Sequence, residues 1–301
     1  MDKKIHIYKY CAFDQFALEN LKNIQLWCNH YEVFNDPFEC WCIKKTGIPD
    51  PINEWDRFDH IAKTWGFTSG HDVSMEDLFE YCSEFVHQYS MRVSQYVDSA
   101  RITCFSQRPD NLLMWSHYAN GLRGFCIEFD INKLLYNVHQ HAEVHEVEYS
   151  EVPPVIDTMI YEVAKDQVWY NEIAIEETET EIKYLNKTEA KKWIPQYQTA
   201  LKEAQELLYQ LYRKMLCYKP LNCEYEEEIR LVLHSELNDR VGEPYPYCKE
   251  AIKSIIIGEK ASDFDIQNII KVLELLGLDI PIKKAIRFQD KFEVQVHLSE
   301  S

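Results

Sequence analysis

Residues 102–130 constrain the fold more than any other part of the chain. An apolar strand pattern at 102–105 is followed by a Ser-Gln-Arg-Pro-Asp-Asn turn, a Met-Trp-Ser-His-Tyr run at 114–118, a Gly-Leu-Arg-Gly loop and a second strand pattern at 124–129. Strands bury Val, Ile, Leu and Phe to fill volume, whereas this connection places polar-capable side chains beside two glycines that let another backbone approach closely. The stretch therefore predicts two strands joined by a wall that faces a ligand.

Strand and helix patterns alternate along the rest of the chain, without an internal repeat. Predicted strands cover 5–10, 26–28, 229–233, 252–257 and 292–298, with another at Ile282, and predicted helices cover 13–22, two stretches within 53–99, and a segment capped by Ser262 or Asp263 and ended by Gly277. With 301 residues the chain is long for one domain and short for two. We predict one α/β domain over 1–301, of the α+β class, with a mixed sheet and flanking helices.

Residues 157–216 form a helical insertion without strand patterns. Its first part carries the acidic run 172–181, and apolar residues then mark one face of a long helix: Trp193, Tyr197, Leu201, Ala204, Leu208, Leu211 and Met215. We predict that this face packs in the core or against a partner protein rather than forming a cofactor site.

Charge and cysteine usage limit the compartment and the partners. The chain has 32 Lys and Arg against 50 Asp and Glu, a formal net charge of -18, which repels phosphate backbones on average. Ten cysteines without a CxxC pair predict reduced thiols in the cytoplasm. No apolar stretch reaches the length of a membrane span, so we predict no membrane contact.

Common catalytic and metal motifs are missing. The absence of GxGxxG, GxxxxGKS/T, GxSxG and HExxH argues against a Rossmann dehydrogenase, a P-loop NTPase, a serine hydrolase and a zinc protease. Four alternating residues would share one strand face near metal-ligand distance: His139, His141, Glu143 and His145. No second cluster accompanies them, and the CxC pair at Cys40 and Cys42 lacks two ligands. We therefore predict no bound metal.

The acidic segment 224–230 is the most specific chemical signal. On a strand, Glu226, Glu228 and Arg230 would share one face. As a sheet edge this pattern would be a surface ion pair, which contributes little to stability. Clustered carboxylates raise each other's pKa unless a cation or ligand offsets them, so a functional role for one of them is equally open.

These segments, in this order, resemble an uncharacterised bacterial family, the domain of unknown function 2971. The resemblance lies in Tyr8-Lys9-Tyr10, 34–39, Cys104-Phe105-Ser106, 114–118, 124–129, 226–230 and 255–258, and spans most of the chain apart from the insertion. Cys223 departs from it, because that position usually looks aromatic in the family. The family name implies no activity.

A second resemblance does imply one. An early polar strand, a helix, an extended segment, a strand with Ser106 ahead of a Met-Trp element, and a late strand with a glutamate look like the order of parts in ADP-ribosyltransferases, particularly nucleic-acid-modifying toxins. Lys9 stands where that group has His or Arg, and a lysine cannot reproduce a bidentate arginine fork. The resemblance implies a split sheet, NAD as substrate and a nucleic acid or protein acceptor. It also implies a toxin or antiviral defence effector, restrained by an antitoxin or regulatory protein on the insertion.

The same resemblance assigns the site. The implied catalytic residues are Glu228, Tyr118 and Lys9. Cofactor binding falls to Tyr8, Lys9, Tyr10, Ser106, Trp115 and Tyr118, and substrate binding to Asn35, Asp36, Glu226 and Arg230. A carboxylate stabilises the positive charge that develops on the ribose as the glycosidic bond breaks, and Glu228 takes that role.

Two other functions stay open. A metal-dependent nuclease would need a carboxylate set, for which the candidates are Asp36, Glu39, Glu128 and Glu228. A non-enzymatic interaction module would use the helical insertion as its binding surface and would tolerate the loss of these acidic residues.

Overall fold

The computed structural model describes residues 6–83, 89–136, 142–236 and 239–298. Backbone contacts divide the chain into two compact units. The sheet unit comprises Met1–Glu39, Asp98–Glu151 and Lys219–Ser301, and the helical unit comprises Cys40–Val97 and Val152–Tyr218. The insertion therefore packs with residues 40–97, and whether the whole chain is one domain stays a prediction.

Strands and helices alternate along the chain, and the structure adds short strands that the sequence pattern did not predict. In chain order the strands are β1 (His6–Cys11), β2 (Gln25–Cys28), β3 (Ile43–Lys45), β4 (Ala100–Ser106), β5 (Phe125–Asp130), β6 (Ala142–Glu146), β7 (Glu148–Ser150), β8 (Val155–Asp157), β9 (Tyr218–Pro220), β10 (Glu228–His234), β11 (Glu243–Pro246), β12 (Ile252–Gly258), β13 (Ile282–Arg287) and β14 (Val294–Leu298). The helices are α1 (Gln15–Lys22), α2 (Trp55–Trp65), α3 (Met75–Ser83), α4 (Tyr89–Ser99), α5 (Leu112–His117), α6 (Ile131–Leu134), α7 (Thr158–Leu185), α8 (Ile194–Leu216) and α9 (Asp263–Leu276). None of these helices is long and apolar enough to cross a membrane.

The sheet unit is built on one large mixed sheet, which confirms the predicted mixed α/β class. Its strand order is β14-β13-β12-β5-β1-β4-β10-β6. Neighbouring strands are antiparallel except β12 and β13, which α9 connects. A parallel pair needs such a crossover, and Ser262 and Gly277 cap the two ends of its helix as predicted.

The two faces of this sheet differ. One face packs an apolar core around Ile7, Phe105 and Phe129 against residues of α1 and α9, such as Leu21 and Ile269. The other face carries a row of polar residues that are direct cross-strand partners: Ser254, Glu128, Tyr8, Ser106 and Glu228. Directly paired residues point to the same side of a sheet, so five adjacent strands place this polar row on one face.

The row crosses a place where the sheet opens. Strand β1 pairs with β5 along its whole length, from His6 to Cys11. Its described pairing with β4 is limited to Tyr8 and Ser106, and farther along β4 Ile102 forms a bridge with Asn29 instead. The two central strands therefore diverge on one side of the Tyr8–Ser106 pair.

The helical unit is organised around α7 and α8, which pack against each other. Asp157 caps α7 through the backbone N–H groups of Met159 and Ile160, and also binds Arg57 of α2. The C-terminal part of the apolar stripe on α8, including Leu208 and Met215, is buried.

Residues 53–99 contain α2, α3 and α4. Residues 84–88, between α3 and α4, lie outside the described residues, so the prediction of two helices stays a prediction. Helix α2 ends at Trp65 because Gly66 adopts a left-handed conformation. The backbone then makes a short turn at Gly70–Asp72, capped by Ser69, before α3 begins.

Candidate functional site

A cavity of about 160 Å³ lies in the sheet unit where β1 and β4 diverge. Its walls include Tyr8, Lys9 and Tyr10 of β1 and residues 102–106 of β4. The loops that carry Asn35 and Tyr118 also contribute to the walls, as do four charged side chains: Glu39, Lys219, Glu226 and Glu228. Most of the residues predicted from the sequence to form the site therefore do meet at one cavity.

Glu228 is the first residue of β10 and is buried, with 3 % of its surface exposed. Its Oε1 accepts a hydrogen bond from Arg230 Nε at 2.7 Å, and its Oε2 accepts one from Lys219 Nζ at 3.0 Å. Burial alone would raise the pKa of this carboxyl, but the charges of Arg230 and Lys219 outweigh burial and lower the pKa to about 2. Glu228 is therefore an ionised carboxylate at the cavity.

Glu226 lies beside Glu228 but not on the same strand. It ends a short 3-10 helix over Leu221–Glu226, and Glu227 follows in the left-handed region with a φ of 41°. The prediction that Glu226, Glu228 and Arg230 share one strand face was therefore wrong for Glu226, because the chain turns sharply just before β10. Its Oε2 nevertheless lies 2.5 Å from Lys219 Nζ, so the lysine bridges both glutamates.

Arg230 connects Glu228 to a third carboxylate. Its Nη1 lies 2.5 Å from Glu39 Oε1, and the arginine side chain has no exposed surface. Burial raises the pKa of Glu39, while the charge of Arg230 acts in the opposite direction. Arg230 does not line the cavity, so the structure gives it contacts with carboxylates rather than the predicted contact with substrate.

Tyr118 follows α5, and its hydroxyl group donates to Glu226 Oε1 at 2.8 Å. Burial and the neighbouring Glu226 charge raise the pKa of this phenol, so it stays protonated at neutral pH. The ring lines the cavity. Tyr118 thus offers an aromatic surface whose hydroxyl orientation is fixed by a carboxylate.

Trp115 is placed differently from its predicted role. It has no exposed surface, its indole N–H donates to the carbonyl oxygen of Pro109 at 2.8 Å, and its ring contacts Tyr10 edge to face at 5.2 Å. It is not a wall residue of the cavity. On α5 the tryptophan faces the core while Ser116 and His117 face outward, so the predicted ligand-facing wall is reduced mainly to Tyr118 and Met114.

Hydrogen bonds connect β1 to β4 and to the loop that follows β4. Lys9 Nζ donates to Thr103 Oγ1 at 2.8 Å and to the Cys104 carbonyl oxygen at 3.0 Å. Ser106 is buried, and its Oγ accepts from the backbone N–H of Arg108. The Tyr10 hydroxyl group donates to the Arg108 carbonyl oxygen at 2.7 Å, which fixes the loop after β4 against β1.

Asn35 and Asp36, which were predicted to bind substrate together, have different surroundings. Asn35 lines the cavity, whereas Asp36 does not and accepts a hydrogen bond from the backbone N–H of Phe38 at 2.9 Å in an Asx turn. Asp36 therefore shapes the loop that brings Glu39 to Arg230.

Glu128 belongs to a separate cluster on β5. Its partners are Lys283 Nζ at 2.7 Å, His6 Nδ1 at 2.6 Å, the Ser254 hydroxyl group and, at 3.5 Å, the Tyr8 hydroxyl group. Burial opposes ionisation, but these hydrogen bonds lower the pKa of Glu128 to about 2. It does not line the cavity, so the four carboxylates considered for a nuclease do not share one site.

Only part of the alternating histidine cluster lies among the described residues. His139 and His141 lie outside the described residues. On β6, His145 Nε2 lies 3.0 Å from Glu143 Oε2. Within the described ranges, no group of three or more His, Cys, Asp and Glu side chains has a geometry that holds a metal ion.

Sequence reasoning assigned no role to Lys219, and it considered Glu39 only as a metal ligand. Lys219 is the middle residue of the short strand β9, and a single lysine before a proline carries no recognisable motif. The sequence signal that could have indicated a further cation is the run Glu226-Glu227-Glu228 next to Arg230, because carboxylates that become buried require matching cations.

Comparisons with known proteins agree with one resemblance in the sequence. No curated protein and no solved structure matches the chain. A family model matches residues 114–231, a range that runs from Met114 of α5 through the helical insertion to Leu231 of β10. The match includes Tyr118, Lys219, Glu226 and Glu228, and it includes the insertion that the sequence resemblance left out. Over these residues the chain is similar to the family described as Protein of unknown function (DUF2971).

Proposed function

We propose that the protein transfers the ADP-ribosyl group of NAD to an acceptor. The observation that carries the proposal is the row of Tyr8, Ser106 and Glu228, paired across three adjacent strands beside a cavity in the sheet. The opening between β1 and β4 supports the split sheet of an ADP-ribosyltransferase-like fold. An ionised carboxylate at this opening is the group that the reaction requires.

In the proposed reaction the bond between ribose C1′ and the nicotinamide nitrogen breaks, and an acceptor nucleophile forms a bond to C1′. Nicotinamide leaves with the bonding electrons, and the acceptor releases a proton. Positive charge develops on the ribose in the transition state, so a fixed carboxylate stabilises that state more than the ground state. Glu228 supplies this charge, and Ser106 lies directly opposite it on β4 to orient the sugar.

The size of the cavity favours one ring. A cavity of about 150 Å³ accepts a benzene molecule, so about 160 Å³ suits the nicotinamide ring while the rest of the dinucleotide lies outside. Tyr118 offers an aromatic wall for this ring. Trp115 has no part in the proposal because it lies in the core.

A cation near the cavity favours a phosphate-containing substrate. The two hydrogen bonds of Lys9 use two of its three ammonium hydrogens, which leaves one for a ligand. Lys9 would bind the pyrophosphate or the adenosine ribose as a point charge. Because Lys9 also bridges β1 and β4, this role includes holding the opening in shape.

The acceptor is a nucleic acid or a protein, and Asn35 and Glu226 line the side of the cavity where it would approach. We further propose a cytoplasmic toxin or defence effector with an antitoxin or regulatory protein on the helical unit. The exposed aromatic residues Trp169, Tyr184 and Trp193 support such a contact. Growth arrest on expression, relieved by Glu228→Gln, is the expected cellular outcome.

The test uses NAD labelled separately in the adenine and nicotinamide parts, with cell lysate before and after nuclease treatment. We expect nicotinamide release and transfer of the adenine label to macromolecules, with nuclease removing the labelled product if the acceptor is nucleic acid. Glu228→Gln should reduce the rate roughly a hundredfold or more. The matched control is Glu128→Gln, which removes a buried, ion-paired carboxylate outside the cavity and should retain activity. Equal activity of the Glu228→Gln variant and the wild type would disprove the proposed role.

A further inference from the structure

Lys219 has an unusual position between two glutamates. Its ammonium group lies 2.5 Å from Glu226 Oε2 and 3.0 Å from Glu228 Oε2, and all three side chains are buried and line the cavity. Burial lowers the pKa of a lysine, but the charges of Glu228, Glu39 and Glu226 outweigh burial here and raise it. Lys219 is therefore a permanent cation at neutral pH.

The cluster holds more carboxyl groups than cations, and burial raises the pKa of one of them, Glu39. Three buried carboxylates, Glu39, Glu226 and Glu228, face two cations, Lys219 and Arg230. Without Lys219, Arg230 alone would face the three carboxylates. A buried carboxylate that lacks a countercharge takes up a proton, because ionisation in a low-dielectric environment is costly.

We propose that Lys219 is a positioning residue whose ammonium group holds Glu226 and Glu228 side by side at the cavity and prevents Glu228 from taking up a proton. The consequence for catalysis rests on the proposed function, because only an ionised Glu228 stabilises a positively charged sugar. Lys219 then sets the lowest pH at which the site works.

The thiols and phenols that face this cluster do not change charge between pH 4 and 7, and His145 of β6 is the cross-strand partner of Arg230. The thiols and phenols are Cys104 beside Glu228, Tyr149 at the Glu228 backbone N–H, Tyr118 and Tyr225 at Glu226, and Cys223. Burial raises the pKa of each of these thiols and phenols, so they remain neutral across that range. A change in the pH at which activity is lost on the acid side therefore does not come from these thiols and phenols.

The first experiment is the pH profile of NAD consumption. The acid limb is the part of this profile in which activity falls as the pH is lowered. In Lys219→Met we expect the midpoint of the acid limb to lie about one pH unit or more higher than in the wild type, because Glu228 has lost an adjacent opposite charge. Lys219→Arg should restore the position of that limb, because it restores the cation. The matched control Lys283→Met removes the cation beside Glu128 and should leave the limb unchanged.

The second experiment does not depend on NAD. Glutamate labelled with ¹³C at the side-chain carboxyl is titrated by NMR, with Glu228→Gln used to assign the Glu228 signal. We expect the Glu228 carboxyl in Lys219→Met to protonate at a pH at least about one unit higher than in the wild type. If the wild type consumes no NAD, the proposed function fails and this titration alone decides the role of Lys219.

A folding defect in Lys219→Met would not prevent the test. The double variant Lys219→Met/Glu226→Gln removes one carboxylate together with the cation, so the net charge of the cluster stays that of the wild type. The Glu228 carboxyl in this variant should still protonate at a higher pH. An unchanged Glu228 titration in either variant would overturn the proposal.

Discussion

Glu228→Gln should destabilise the fold as well as remove activity. The residue is buried and forms two charge-assisted hydrogen bonds, one to Arg230 and one to Lys219. Deleting one member of a buried ion cluster leaves its partner charges uncompensated, which costs about 3–5 kcal/mol of unfolding free energy. The surface ion pair considered from the sequence would contribute about 1 kcal/mol or less, and the burial of Glu228 corrects that expectation.

The pH dependence of stability gives an independent value for the contribution of Glu228 to the free energy of unfolding. The attraction of Arg230 and Lys219 overcomes burial and lowers the Glu228 pKa from 4.5 to about 2 in the folded protein. A group whose folded pKa lies below its unfolded pKa stabilises the fold above the unfolded value. Glu228 therefore contributes roughly 3 kcal/mol above pH 4.5, and this contribution decreases as the pH falls from 4.5 towards 2.

The assay is urea unfolding of the wild type and of Glu228→Gln from pH 7 down to the lowest pH at which the wild type folds. We expect a large difference at pH 7 that narrows below pH 4.5. Glu227→Gln is the control, because its side chain is 33 % exposed and lies 3.4 Å from Arg108, and it should cost about 1 kcal/mol or less. A Glu228→Gln protein as stable as the wild type at pH 7, or a difference independent of pH, would refute the reasoning.

Three further substitutions test the framework of the site. Gly258→Ala should destabilise the protein by about 2 kcal/mol or more, measured by urea unfolding, because the new Cβ would lie 2.3 Å from the Leu122 carbonyl oxygen. Asn111→Ala should cost about 1–2 kcal/mol in the same assay and lower NAD-consuming activity, because Asn111 caps α5 and binds the Tyr225 carbonyl oxygen. Trp115→Phe should lower the thermal midpoint and leave the KM for NAD unchanged, because Trp115 is buried in the core. A raised KM would show that Trp115 takes part in NAD binding.

The strands were predictable because their burial pattern is local. Alternating residues placed Glu228 and Arg230 on one strand face, and the two side chains do bond to each other. Glu226 was misplaced because strand alternation assumes a continuous strand. The 3-10 helix before β10 and the left-handed Glu227 end that continuity, and no glycine at this position signals the turn.

The contact between Arg230 and Glu39 was harder to predict because the two residues are distant in sequence. Arg230 binds Glu39, which lies in a loop near the beginning of the chain, and this contact follows from the packing of the whole sheet unit. Trp115 shows the converse limit: tryptophan is amphipathic, and the sequence does not determine whether its N–H group binds a ligand or, as here, the Pro109 carbonyl oxygen.

The two buried acidic clusters on the polar row differ in how many cations accompany their carboxyl groups. Around Glu128 one carboxylate has Lys283, His6 and Ser254 as partners, so its charge is compensated and the cluster needs no ligand. Around Glu228 three carboxylates share two cations. Buried ion clusters of this kind are often no more stable than apolar packing, so stability alone gives no reason for an excess of carboxylates. These carboxyl groups lie at the cavity, where, under the proposed function, the ionised Glu228 would stabilise a substrate that develops positive charge in its transition state.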